Sequence, residues 1–126
     1  MGWREWVSFP EFAVEKVKAK VDTGARTSAL HAENIFVFEE SGVQKVKFVI
    51  RPSQKNRKKK MIIIATLLSE RLVRSSTGYA SYRPVILTNI TIGNDTWPVE
   101  VTLVNRDIMG FRMLLGRNAV KKRYLI

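Results

Sequence analysis

The chain has 126 residues, enough for one domain whose core stands without disulfides or a structural metal. Hydrophobic residues at 45% and charged residues at 26% are ordinary for a globular domain, and with no cysteine there is no disulfide framework and no thiol chemistry. The formal net charge of +11 points instead to acidic partners: nucleic acid, anionic peptide or a membrane surface.

No run of about 18 apolar residues occurs, so no helical membrane span is predicted. The first residues, Trp3, Arg4 and Glu5, lack the basic-then-apolar order of a secretory leader. Together with the absence of cysteine, this leads us to expect a cytoplasmic protein.

The first predicted strand is Val14 to Val21, which alternates apolar residues with Lys16, Lys18 and Lys20. It runs directly into Asp22-Thr23-Gly24. A carboxylate at a strand end, on a tight turn, is positioned rather than merely solvated, as acid/base chemistry requires. Gly24 is expected to supply close backbone approach and dihedrals closed to other residues, and Thr23 to lock the turn with its hydroxyl. The segment before His31 reads as helix-like or a turn, and His31 as hydrogen-bonded structure.

Asn34 to Glu39 and Val43 to Ile50 are predicted as a hairpin about Ser41-Gly42. Pro52 ends the second strand, and a basic run follows: Lys55, Arg57, Lys58, Lys59 and Lys60. It reads either as a solvated loop or as a binding surface. No aromatic residues are interleaved with it, which argues against single-strand stacking there. Met61 to Leu67 is too short to read as a helix, and Thr66 to Leu72 is ambiguous. Arg74 to Tyr82, polar with Gly78, reads as a hairpin tip.

Val85 to Ile92 and Trp97 to Val104 are strands around a Gly93-Asn94-Asp95 turn, and Asn105 to Gly110 is a loop. Phe111 to Leu115 is the last core strand, ending at Gly116-Arg117-Asn118 and a short helix from Asn118 to Lys122. Tyr124 to Ile126 is an apolar tail, either an interface strand or an ordinary core strand. Many short strands with little helix predict an all-β, closed barrel.

The Asp22-Thr23-Gly24 turn, the apolar strand Met113-Leu114-Leu115-Gly116 about ninety residues later, and the co-linear segments Gly2 to Val7, Ala19 to Ala32, Val73 to Ser76 and Asn105 to Met109 resemble one family. It is the retropepsin-like family of small prokaryotic proteins often labelled "ATP-dependent zinc protease", some encoded beside RimK-type glutamate ligases. The resemblance implies a single acid-protease domain over 1–126 with one short C-terminal helix.

It also implies an aspartic peptidase. Two carboxylates about 3 Å apart share one proton, one acting as base and the other as acid. This chain has only one such Asp, so Asp22 from each of two copies must meet across a two-fold axis in a homodimer. By the resemblance, Thr23 and Gly24 fix Asp22, Ala25 and Arg26 line the cleft, and Leu114, Leu115 and Gly116 brace the loop. Arg74, Ser75, Ser76 and Gly78 form the flap. The family's retroviral members carry an acidic residue where this chain has Arg26. Either Asp107 or another carboxylate neutralises Arg26 and Arg117, or these arginines with Arg74 bind an acidic, glutamate-rich peptide.

The rival reading is a non-catalytic module of the same fold that binds an anionic partner, acidic peptide or RNA, through Arg26, Lys55 to Lys60 and Arg117. Nucleic acid is the less favoured partner, and no membrane is expected. No cofactor is expected either: one histidine and no cysteine make a poor zinc set, and there is no phosphate-binding Gly-x-x-x-x-Gly-Lys-Ser/Thr loop.

Overall fold

A computed structural model describes residues 4–22, 24–51, 60–74, 78–105 and 111–120, without the side chains of 73, 74 and 120. Ten strands and one α-helical turn are described: β1 Arg4–Phe9, β2 Val14–Val21, β3 Ser28–His31, β4 Glu33–Glu40, β5 Val43–Ile50, β6 Met61–Thr66, β7 Ser69–Arg74, β8 Ala80–Ile92, β9 Asp95–Val104, β10 Met113–Leu115 and α1 Arg117–Val120. A 3-10 turn, Pro10–Phe12, links β1 to β2. The all-β expectation is borne out.

The order β1-β2-β10-β3-β9-β8 closes into a six-stranded barrel where Ser8 of β1 pairs with Thr91 of β8. Closure removes the sheet edges that these strands would otherwise expose. Strand alternation puts Val7, Phe9, Val17, Ala19, Leu30, Ile86, Ile90, Val101, Leu103, Met113 and Leu115 inside, each buried. β4, β5 and β6 form a separate sheet whose inner face, Val46, Phe48, Ile50 and Ile63, packs on the same core. Phe12 joins the two layers, its ring 6.5 Å from Phe9 and 6.4 Å from Phe48.

The turns follow their residues. Ser41 and Gly42 both take positive φ, 54° and 80°, in a two-residue hairpin loop whose backbone twist suits that of β4 and β5. Gly93 (φ 61°) opens the β8–β9 turn.

Several segments differ from the sequence reading. Arg4–Phe9 is a strand held between β2 and β8, although nothing in it alone marks a strand. Ser28–His31 is a strand, not a helix or turn, because β10 and β9 pair with it from both sides. Met61–Thr66 and Ser69–Arg74 are strands recruited by β5 and β8. The expected tip at Arg74 to Tyr82 narrows, since Arg74 already pairs with Ala80. The helix starts at Arg117 rather than Asn118. The basic run through Lys59, Asp107 and the tail Tyr124 to Ile126 lie outside the described residues.

Where β3 leaves the barrel, His31 is buried and its Nε2 lies 3.6 Å from Glu33. Arg51 Nε donates to both Glu33 oxygens, at 3.2 and 3.1 Å. Burial raises the Glu33 pKa, but Arg51 and then His31 outweigh it and hold the carboxyl below its ordinary 4.5. A depressed folded value means that the ionised form stabilises the fold above 4.5 and that this contribution is lost as pH falls through the folded value. In denaturant titrations, the excess stability of wild type over Glu33→Gln should be full above pH 4.5 and shrink below it. An excess that grows on acidification would contradict the assignment.

Candidate active site

Asp22 follows the last residue of β2, at the point where β2 runs parallel to β10 with Leu115 opposite Val21. Its backbone N–H donates to the Leu115 carbonyl at 2.9 Å, so the apolar strand holds the start of the turn. Its carbonyl accepts from the Ala25 N–H at 3.2 Å, closing the turn. The exposed carboxylate accepts from the Gly24 N–H at 2.9 Å through Oδ1. Of the expected fixing residues, Thr23 lies outside the described residues.

Gly24 serves one of its two expected uses, close approach, and not the other. Its φ does not fall in the left-handed region; instead a Cβ there would stand 3.2 Å from Asp22 Oδ1. The glycine keeps space beside the carboxylate rather than supplying an unusual dihedral.

The turn is fastened a second time. Arg117 N–H donates to the Ala25 carbonyl at 2.8 Å, and Asn118 N–H to the Arg26 carbonyl at 3.1 Å. Gly116 lies so close to Thr27 that a Cβ would meet that residue's carbonyl oxygen at 2.4 Å. Leu114, paired with Lys20 and Ala29, and buried Leu115 carry this segment through the barrel wall.

Ser28 and Asn118 complete the fastening, a role the sequence did not disclose. Buried Ser28 Oγ accepts from the Gly116 N–H at 3.1 Å and donates to Asn118 Oδ1 at 2.8 Å. Asn118 Nδ2 donates to the Glu100 carbonyl at 2.9 Å, which ties the helical turn to β9. Trp97 Nε1 adds a bond to the Ala119 carbonyl at 2.9 Å. Ser28→Ala leaves the Gly116 N–H without its acceptor in the interior, which should cost about 1–3 kcal/mol in denaturant unfolding. An unchanged midpoint would show that this bond does not matter.

The two arginines, Arg26 and Arg117, are at least partly exposed at this end of the barrel. Among the described residues neither forms an ion pair with a carboxylate. Gly78 (φ 88°) belongs to the connection between β7 and β8, where Arg74 pairs with Ala80. Ser75, Ser76 and the Arg74 side chain lie outside the described residues, so no contact of theirs with Asp22 is drawn. Among the described residues no three of His, Cys, Asp and Glu cluster as metal ligands. No described helix is long and apolar enough to cross a membrane.

The family model described as "RimB-like: Retropepsin-like aspartic endopeptidase RimB" matches residues 1–126. Two relatives named "Probable alpha-L-glutamate ligase" align with the whole chain. The protein of Desulfotalea psychrophila is 40% identical over 27% of its own length. That of Shewanella pealeana is 43% identical over 28%. The chain thus spans about a quarter of the length of these relatives. A Legionella pneumophila protein of unknown function, solved by crystallography, superposes with a TM-score of 0.76 at 27% identity, over 98% of this chain and 87% of that one.

Proposed function

The chain belongs to the RimB-like family, and on that premise we propose that it is an aspartic peptidase acting as a homodimer. Each copy supplies one Asp22 to a shared pair. The ionised carboxylate takes a proton from a water as that water's oxygen attacks the peptide carbonyl, and the protonated partner gives its proton to the carbonyl oxygen. Collapse of the tetrahedral adduct breaks the C–N bond, and a proton passes to the leaving amine.

One observation carries this reading: the Asp22 carboxylate sits at a barrel end in a turn that accepts bonds from the Gly24, Arg117 and Asn118 N–H groups and donates one to the Leu115 carbonyl. A backbone fixed this firmly beneath an exposed carboxylate suits chemistry better than solubility. The β7–β8 hairpin, with Arg74, Ser75, Ser76 and Gly78, is assigned to cover the bound peptide.

The substrate is proposed to be a glutamate-rich peptide. Arg26 and Arg117 offer planar, bidentate donors for carboxylates, and the relatives that contain a homologous segment are named as glutamate ligases. Arg26→Gln and Arg117→Gln should each raise KM for a glutamate-rich peptide by a few-fold to about tenfold, with little change in kcat, because exposed charge pairs bind weakly and act before the chemical step. A fall in kcat at constant KM would remove the arginines from substrate binding.

A second reading is favoured by the same two arginines, which have no ion-pair partner among the described residues, and by the basic run Lys55 to Lys60: a domain that binds an anionic partner without cutting it. Sedimentation separates the two, since the peptidase needs a dimer. A monomer at high protein concentration would favour the binder.

A further inference from the structure

The pairing of β1 with β2 builds a surface that neither strand announces. Trp6 lies directly opposite Lys18, and Arg4 opposite Lys20. Paired residues share a face, so these four side chains stand together on the outside of the barrel, with Lys16 next along β2. Val7, Phe9, Val17, Ala19 and Val21 take the opposite face and are buried. Glu5 alternates with Arg4 and Trp6 and belongs to that inner side, which leaves Glu15 as the carboxylate flanking the patch on these two strands.

Trp6 is 59% exposed. What marks the place is not the exposure of one ring but its position in a row of cations, Arg4, Lys18 and Lys20 being its same-strand, cross-strand and diagonal neighbours. Lys18 is half-buried, and its Nζ stands 5.1 Å from the centroid of Phe111 on the neighbouring chain segment.

We propose that this face binds single-stranded nucleic acid, with a base stacked on Trp6 and the backbone phosphates drawn to Arg4, Lys16, Lys18 and Lys20. Single-strand binding without sequence preference needs a cationic track and a flat aromatic platform side by side, and β1–β2 supplies both. The overall charge of +11 adds a long-range attraction for polyanions. An acidic peptide would use the cations but has no group that requires an exposed indole. This surface is independent of the peptidase reading, because none of its residues belongs to the Asp22 turn.

The test is fluorescence anisotropy of a labelled single-stranded RNA oligonucleotide with the full chain. Neutralising three or four phosphates should weaken binding about 20- to 50-fold between about 50 and 200 mM salt. Trp6→Ala should weaken it about fivefold or more, Trp6→Phe should restore most of the affinity, and Lys18→Gln should lower the salt slope by about 0.7. Because Trp6 is exposed, Trp6→Ala and Trp6→Phe should unfold at the wild-type temperature. The proposal is overturned by the absence of salt-dependent binding. Binding that ignores both Trp6→Ala and Lys18→Gln also overturns it, by moving the contact elsewhere, as to the Lys55 to Lys60 run. It fails too if polyglutamate binds with the same affinity and the same dependence on Trp6, or if Trp6→Ala splits a dimer while leaving RNA binding intact.

Discussion

Asp22→Asn should reduce hydrolysis of a glutamate-rich peptide by about a thousandfold or more while leaving the fold in place. The amide is nearly isosteric with the carboxylate, and its oxygen can still accept from the Gly24 N–H, now 2.9 Å from Asp22 Oδ1. What is lost is the proton-accepting group, and removing a general acid or base typically costs about 10²–10⁴ in rate. Here one substitution strikes both members of the proposed pair, so the upper part of that range applies. Single-turnover kinetics on a defined peptide reads the effect, and thermal unfolding checks that the Asp22→Asn chains remain folded. A variant that cuts at the wild-type rate would leave the carboxylate without a chemical role.

Among the described glycines, Gly116 should tolerate replacement by alanine least. Its Cβ would lie 2.4 Å from the Thr27 carbonyl oxygen, 2.6 Å from the carbonyl carbon and 2.9 Å from the nitrogen. All three are backbone atoms, so no side chain can rotate away. β10 or β3 must move instead, and with them the bonds from Gly116 to Ser28, Arg117 to Ala25 and Asn118 to Arg26. Overpacking a close-packed interior costs about 1–3 kcal/mol, and a backbone obstruction belongs at or above the top of that range. Denaturant unfolding should show a loss of about 3 kcal/mol, and the remaining folded protein should cut poorly because the Asp22 turn has shifted. Wild-type stability would mean that the two segments are not locked together.

The parts of the fold that could be read from sequence were those governed by local rules. β2, β4, β5, β8 and β9 alternate or run apolar between turn residues, and Ser41-Gly42 and Gly93-Asn94 are turn pairs, with positive φ at Ser41, Gly42 and Gly93. The parts that were not legible depend on distant partners. Ser28-Ala29-Leu30-His31 has no strand signature, and only β10 and β9 on its two sides make it one. β1 exists through pairing with β2 and β8. The same limit hid the Ser28–Asn118 bond, whose partners lie 90 residues apart. It also hid the Trp6–Lys18 neighbourhood, which appears only when the β1–β2 register is known. At Gly24 the sequence points to both close approach and an unusual dihedral; the structure uses only the first, as space beside Asp22 Oδ1.

The sharpest examination of the paired-aspartate reading is a mixing experiment. Wild-type and Asp22→Asn chains are unfolded together, refolded at varied ratios, and assayed on one peptide. If each site needs an Asp22 from both copies, activity follows the square of the wild-type fraction, so an equal mixture retains about a quarter of the activity. A linear fall, with half the activity left at equal mixing, would mean that one chain suffices and would contradict the shared site.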